Sequence, residues 1–504
     1  MTNNSSTLDH RALGSVSPVD SETPPSRRRL EISDVNVVDK AIFTRALGGT
    51  IVGNTMEWYD VGVFGYLITT IGPVFLPEAD STVQTLFLLG TFAATFLARP
   101  LGGIVFGWLG DRIGRQKTLA MTLILMVAST LTVGVLPGYT AIGIWAAVLL
   151  VLTKLVQGFS TGGEYAGAAT FVSEHAPDKR RGFFTSLLDM GSYLGFAIGA
   201  AVVSLLQLGL GQAAMEEWGW RIPFLIAGPL GIIAIYFRLK VVESPTFQAT
   251  LDARARTASG GLQPAAGMTN TEPIAIVKAH WRPIVLAMIL VAAANIAGYA
   301  FTSYMPTHLI QALGYDDLSG TLVTIPILVA MSLSIPLAGR LSDRIGRRPV
   351  LWIGAGSTVV LAIPAFLLIA AGDVWLTLLG LVLIALPVTF YWGNIASALP
   401  ALFPTTSRYG AMGISYNFSV ALFGGTTPFV IAALVAGTGI ALMPAYYLIA
   451  SSAVAGVAIF FMKETAGRPL KGSMPSVSTA AEAHELVAHQ DENPLLDAED
   501  WPLR

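Results

Sequence analysis

Six ionisable side chains lie inside stretches otherwise apolar enough to cross a membrane: Glu57, Asp60, Arg99, Lys154, Glu164 and Asp189. A charge at the bilayer centre costs about 2.5–3.5 kcal/mol on insertion scales, so each one kept there calls for a reason. Asn54, Glu57 and Val61 share one helical stripe, and Asp60 lies about 60° round from Glu57. Lys154 sits at similar depth, halfway along its own segment. A carboxylate whose proton affinity depends on whether Lys154 is near can load a proton on one side and release it on the other. That is the minimum chemistry of a proton-coupled carrier. A static buried network that fixes helix packing would use the same residues, and the spacing does not separate Glu57 from Asp60. Glu164 is two and a half turns beyond Lys154, on a face with Gln157 and Thr161, where it either lines a cavity or locks a gate.

All six lie in the first half of the chain. Two intramembrane cations against four acids favour a zwitterionic or neutral solute over an anion, because a dicarboxylate needs free fixed cations, usually arginine. Aromatic side chains at cavity depth include Trp58, Tyr59, Tyr299, Tyr391 and Trp392, and their faces attract quaternary ammonium by about 0.5–2 kcal/mol each. Asn295 is a candidate polar contact from the second half. Helix packing or interface anchoring is the competing use of such aromatics.

The elements that position these groups are twelve apolar segments, roughly 42–70, 83–109, 118–136, 143–172, 184–206, 222–239, 283–303, 320–339, 350–371, 374–402, 411–436 and 442–462. Each approaches the ~20 residues that cross a ~30 Å hydrocarbon core. With 53% hydrophobic and 12% charged residues and a mean hydropathy of +0.63, the chain is no ordinary soluble globule. The decapeptide GWLGDRIGRQ at Gly107–Gln116 returns as GRLSDRIGRR at Gly339–Arg348, each copy between two apolar segments. A charged loop repeated at that distance marks a duplicated bundle. The expected organisation is a tail over 1–41, a six-helix half over 42–240, a linker over 241–281, a second half over 282–462 and a tail over 463–504. Small residues at Gly158 and Gly162, and at Gly191, Gly195 and Gly199, predict close helix approach.

Of the 30 Lys and Arg residues, all but Arg99, Lys154 and Arg221 flank the segments on one side. The positive-inside rule makes that side cytoplasmic and puts both termini there. The repeat loops (Asp111, Arg112, Arg115; Asp343, Arg344, Arg347) are expected to brace neighbouring helices and bias a conformational equilibrium. Glu174 and Asp189, placed near the cytoplasmic ends, are expected to pair with arginines of the first repeat loop. Arg99, roughly 15 Å of helix from Leu109, is too deep to snorkel and needs an internal partner, which would make it part of the same gating set. The chain has no cysteine, and its six histidines, including His10, His484 and His489 in the polar ends, form no metal constellation.

The two repeat loops resemble the G-x-L-x-D-R-x-G-R-R/K loop of the major facilitator superfamily. Within it, GNTMEWYDVGVFGYL (Gly53–Leu67) and GFSTGGEYAGAATFVSEHAPDKRRG (Gly158–Gly182) resemble the metabolite:proton symporter family. RPLGG (Arg99–Gly103), GWRIPF (Gly219–Phe224), YMP (Tyr304–Pro306), MPAYYL (Met443–Leu448) and KETAGRPLKG (Lys463–Gly472) extend the likeness from about Asp34 to Gly472. The resemblance implies an all-α membrane protein of twelve transmembrane helices in two six-helix halves. It also implies proton coupling through the first-span acidic motif and the fourth span, with Trp58 and Tyr59 near the solute. Some members end in a long coiled coil; the tail here has no sustained heptads, so regulation through such a coil does not carry over.

The expected activity is proton-coupled import of compatible solutes of the proline, glycine betaine and ectoine type, in a prokaryotic cell membrane. The alternative within the family is symport of small carboxylates such as shikimate, oxoglutarate or citrate. A zwitterion moving with one proton carries one charge inward, and each 100 mV then supplies about 2.3 kcal/mol. That corresponds to roughly forty-fold accumulation. The expected partners are the solute, protons and the bilayer, with no nucleic acid and no cofactor beyond the coupling ion. No nucleophile–base spacing, phosphate loop or metal cluster suggests an enzyme.

Overall fold

The computed structural model describes residues 29–113, 115–240, 273–405 and 407–496. Most of the expected linker, 241–272, and the two chain ends lie outside the described residues, as do the side chains of Asp111, Arg112 and Arg115. The apolar segments are helices, because inside a bilayer only a helix satisfies every backbone group within its own segment. Nine helices among the described residues are long and apolar enough to span a membrane. Two shorter apolar helices and the 27-residue Lys40–Tyr66 helix accompany them. In chain order they are α1 (Lys40–Tyr66), α2 (Ser81–Phe106), α3 (Ala120–Val135), α4 (Trp145–His175), α5 (Asp178–Leu210), α6 (Arg221–Ile233), α7 (Ala275–Leu313), α8 (Asp317–Ile345), α9 (Arg347–Ala370), α10 (Val374–Ala398), α11 (Arg408–Thr438) and α12 (Met443–Phe461).

Irregular turns interrupt several of these helices, among them α4, α7 and α11. The α-helix of α4 stops at Ser160 and restarts at Glu164. A π-turn occupies Ala300–Tyr304 in α7 and another Val420–Gly424 in α11. Such irregularity is tolerated at membrane depth only where protein or a cavity surrounds it, and π-turns recur at functional sites. Glycine sets the positions of α2 and α4. A Cβ at Gly158 would overlap the Thr95 carbonyl, and one at Gly162 that of Arg99. Their absence brings the Arg99 backbone directly against α4.

Helix α5 packs on α1 in its own half and on α8 in the other, so it forms part of the seam between halves. The segment after α12 is folded against the bundle rather than trailing from it. Glu464 accepts from the backbone amides of Arg347 (2.8 Å) and Arg348 (3.0 Å). Arg181 donates to the Arg468 carbonyl (3.0 Å), and Arg408 to that of Lys471 (2.8 Å). Beyond these, β1 (Asn36–Val37) pairs in parallel with β2 (Ser476–Val477). The helix α13 (Ala480–Ala488) follows, and Ala483 closes a small core with Val35 and Val477.

Candidate functional site

Glu57 and Asp60, three residues apart on α1, are held by different partners. Glu57 forms an ion pair with Arg99 of α2 at 3.2 Å, both side chains 1% exposed. The Arg99 guanidinium lies over the rings of Phe96 (4.4 Å) and Trp58 (5.8 Å). Arg99 therefore has the internal partner its depth demands. Asp60 points into its own half, where Gln157 of α4 donates to its Oδ2 and Thr130 of α3 hydrogen-bonds to the same cluster. The Lys154 ammonium lies 4.3 Å from the Phe64 ring centroid and acts electrostatically on Asp60. Glu164 is buried in the first turn after the break in α4.

Trp58 and Tyr299 meet between the halves, with Asn295 one turn from Tyr299 on α7 and Trp392 reaching the first half elsewhere on the seam. Trp58 rests on Phe196 (5.5 Å) and Tyr299 (6.1 Å), and its indole nitrogen donates to Asn54 (3.2 Å). Tyr299 packs edge-on against Phe92 and Phe96. Trp392 donates to the Ala294 carbonyl (3.1 Å) and faces Tyr165 and Tyr193. Tyr165 of α4 stacks on Tyr416 of α11 at 4.2 Å and 11°, joining the halves. Arg99 Nε, Asn295 Oδ1, Tyr299 Oη and Tyr416 Oη are buried and have no hydrogen-bond partner among the described residues. Unsatisfied buried polar groups cost about 1–3 kcal/mol each, so four together at one seam mark a place built for a polar guest.

Two aromatics expected at the cavity face elsewhere. The Tyr59 hydroxyl donates to the Pro223 carbonyl (2.9 Å), between α1 and α6, and the Tyr391 hydroxyl meets Ser452 of α12 (3.2 Å) inside the second half. Each is one residue from a seam tryptophan, and successive helical positions differ by about 100°, which turns the neighbour into the half.

At the end bearing the repeat loops, Asp343 accepts from the amides of Gly182 and Phe183 (both 2.8 Å) and pairs with Arg347 (2.7 Å). A C-half carboxylate thereby caps the start of an N-half helix. Arg344 is exposed. Glu174 pairs with Arg408 of α11 at 2.6 Å, across the seam, and its expected partners in the first repeat loop lie outside the described side chains. Asp189 is not at a helix end. Leu188 and Ser192 both meet Asn54, while Gly191 faces Ile51 and Gly195 faces Thr55 to Tyr59, so Asp189 lies about level with Ile51, on the repeat-loop side of Glu57, where Tyr165 donates to it (2.8 Å). At the opposite end Asp317 accepts from Thr70 (3.2 Å) and Gln212 (3.1 Å), tying the halves there too. Tyr165, Tyr193 and Tyr416 went unremarked in the sequence as seam residues. The break in α4 beside Tyr165, and the lone polar run SYN in α11, were the available signals.

A duplicated helical bundle with a buried polar seam tied at both ends defines a solute carrier of alternating-access type. The profile of the sugar (and other) transporter family matches residues 48–474, and the chain belongs to that family. It is therefore a multi-pass membrane transporter and not an enzyme. It is 48% identical over 479 residues to the ectoine/proline transporter ProP of Corynebacterium glutamicum, covering 94% of this chain and 95% of that one. It is 44% identical over 463 residues to the proline/betaine transporter of Escherichia coli K12, covering 92% of each. Among solved structures, the proton:xylose symporter XylE bound to 6-bromo-6-deoxy-D-glucose superimposes with a TM-score of 0.68 at 18% identity, over 86% of this chain and 98% of that one. That likeness concerns the fold.

Proposed function

We propose that the protein is a proton-coupled importer of compatible zwitterions, of the proline, glycine betaine and ectoine class, working by alternating access. The relatives named for these solutes support the substrate class. The observation that carries the mechanism is the separation of the two α1 carboxylates. The Glu57–Arg99 pair faces the aromatic seam, where the arginine can take a solute carboxylate while Trp58 and Tyr299 meet its apolar body. Asp60, sealed in the first half with Gln157 and within the field of Lys154, is the proton carrier. A change in the Asp60–Lys154 distance as the halves rock would alter the proton affinity of the carboxyl.

In this reading the repeat-loop end is cytoplasmic in a prokaryotic inner membrane, with both termini inside. The ties at Asp343 and at Glu174–Arg408 close the inner path, and those at Asp317 close the outer one. The exposed Arg344, together with the first repeat loop, braces the inner gate. The competing solute class is the small carboxylate. It is disfavoured because Arg99, shared with Glu57, offers a site for one carboxylate, and the other intramembrane cation, Lys154, lies in the field of Asp60, which leaves no second cation for an anionic solute. The test is uptake of labelled glycine betaine and proline into proteoliposomes under an imposed proton gradient, with shikimate and oxoglutarate as rivals. Accumulation of the zwitterions that collapses with a protonophore is the expected result. Accumulation of the carboxylates alone would sink it.

A further inference from the structure

Asp189, like Glu164, is a buried acid at membrane depth that the mechanism above leaves without a role. It is 0% exposed. Its Oδ1 accepts from Tyr165 at 2.8 Å, and its Oδ2 has no hydrogen-bond partner among the described residues. The polar groups acting on it come from three helices: Tyr165 of α4, Tyr193 of α5 and Tyr416 of α11. All are neutral, and no lysine, arginine or histidine among the described residues acts on it. Glu57 has Arg99 and Asp60 has Lys154; Asp189 has no fixed counter-charge. As a carboxylate it is held at large cost, so it keeps its proton until a cation comes to it.

The setting also says which cation fits. Tyr165, whose hydroxyl meets the carboxylate, belongs to a linked aromatic cluster with Tyr416, Trp392 and Tyr193, and aromatic faces attract alkylated ammonium. Tyr416, with its orphan hydroxyl, lies within the electrostatic reach of both Asp189 and Arg99. The seam thus has a positive group toward one side and a negative group toward the other. We infer that Asp189 is the anchor for the cationic head of the solute, opposite Arg99, which takes its carboxylate. This deepens the symporter reading and rests on it. It explains how a cavity carrying an arginine admits a zwitterion and refuses a simple anion.

The test compares wild type, Asp189→Asn and Asp189→Glu in proteoliposomes, in two modes: proton-gradient-driven uptake and solute counterflow, which needs no net proton movement. For Asp189→Asn the KM for glycine betaine is expected to rise at least tenfold in both modes, with choline, a cation lacking the carboxylate, losing its inhibition in parallel. An unchanged KM overturns the anchor. Loss of gradient-driven uptake with counterflow KM intact also overturns it, making Asp189 a proton carrier instead. Should Asp189→Asn not fold, Asp189→Glu carries the test through the KM ratio of glycine betaine to dimethylglycine. That ratio is expected to shift at least threefold, and an unchanged ratio overturns the proposal. Wild-type protein that accumulates no zwitterion would overturn the symporter reading and the anchor together, whereas a normal wild type beside an indifferent Asp189→Asn removes the anchor alone.

Discussion

Glu57 and Asp60 differ less in sequence than in surroundings. One lies against an arginine at the seam; the other is enclosed by Gln157 and Thr130 inside a single half. Three residues of helix rotate a side chain by about 300°, enough to put one carboxylate toward the moving interface and the other into the rigid body behind it. The difference teaches that binding and coupling need not share a residue. A seam residue changes its neighbours when the halves separate, whereas a residue within one half responds only to small shifts inside that half.

The largest effect expected from breaking this division is at Asp60. Asp60→Asn keeps the size and the Gln157 contact but removes the titrating proton. Gradient-driven accumulation should fall at least a hundredfold, while counterflow of glycine betaine stays within about threefold of wild type. Glu57→Gln should show the reverse pattern, with KM raised and coupling kept. Equal loss of both modes in both variants would mean that the two carboxylates act as one unit.

The next effect concerns stability. Removing one partner of a buried ion pair leaves an uncompensated charge and costs about 3–5 kcal/mol, while replacing both is far milder. Arg99→Met should therefore lower the melting temperature in detergent strongly, and Glu57→Met with Arg99→Met should recover most of the loss. No recovery in the double variant would show that Arg99 is held mainly by Phe96 and Trp58 rather than by Glu57.

Much of this arrangement was legible in the chain. The repeated loop and the twelve apolar segments gave the architecture, since twenty apolar residues have few other fates. The depth of Arg99 required a partner, and Glu57 is that partner. What sequence could not give was azimuth across helices of unknown rotation. Trp58 and Tyr59 looked equivalent, as did Tyr391 and Trp392, until packing set which of each pair met the seam. Asp189 was legible as a residue of the repeat-loop side, but its partner, Tyr165, was not, because it comes from another helix. The docked tail was illegible because its two-residue strands and single short helix carry almost no periodic signal.

A smaller effect is expected at the Glu174–Arg408 tie. Glu174 is 30% exposed, so solvent screening limits the pair to about 1 kcal/mol. Arg408→Ala should therefore shift the balance of inward-open and closed forms by roughly fivefold. The chain has no cysteine, so a single Ser332→Cys in the seam gives a clean accessibility probe. Its labelling rate should rise by that factor in Arg408→Ala, with proton coupling unchanged. A change in coupling would mean that this distant tie reaches the Asp60 cluster.

The smallest effect tests whether the tail belongs to either carboxylate's task. Val477 packs with Val35 and Ala483, and the strand pairing beside it is two residues long. Placing an unpaired charge there with Val477→Asp should free the segment locally, because the core it closes is too small to absorb a buried carboxylate. The measurement is hydrogen exchange across residues 474–496, where protection should be lost. The ties that Arg181, Arg408 and Glu464 make nearer the bundle should keep 464–471 protected. KM and coupling should stay within twofold of wild type, since neither the Glu57 pair nor the Asp60 cluster touches this region. A shift in KM without loss of coupling would place the tail on the side of the seam and Glu57. A loss of coupling alone would connect it, through α5 or α4, to the interior of the first half.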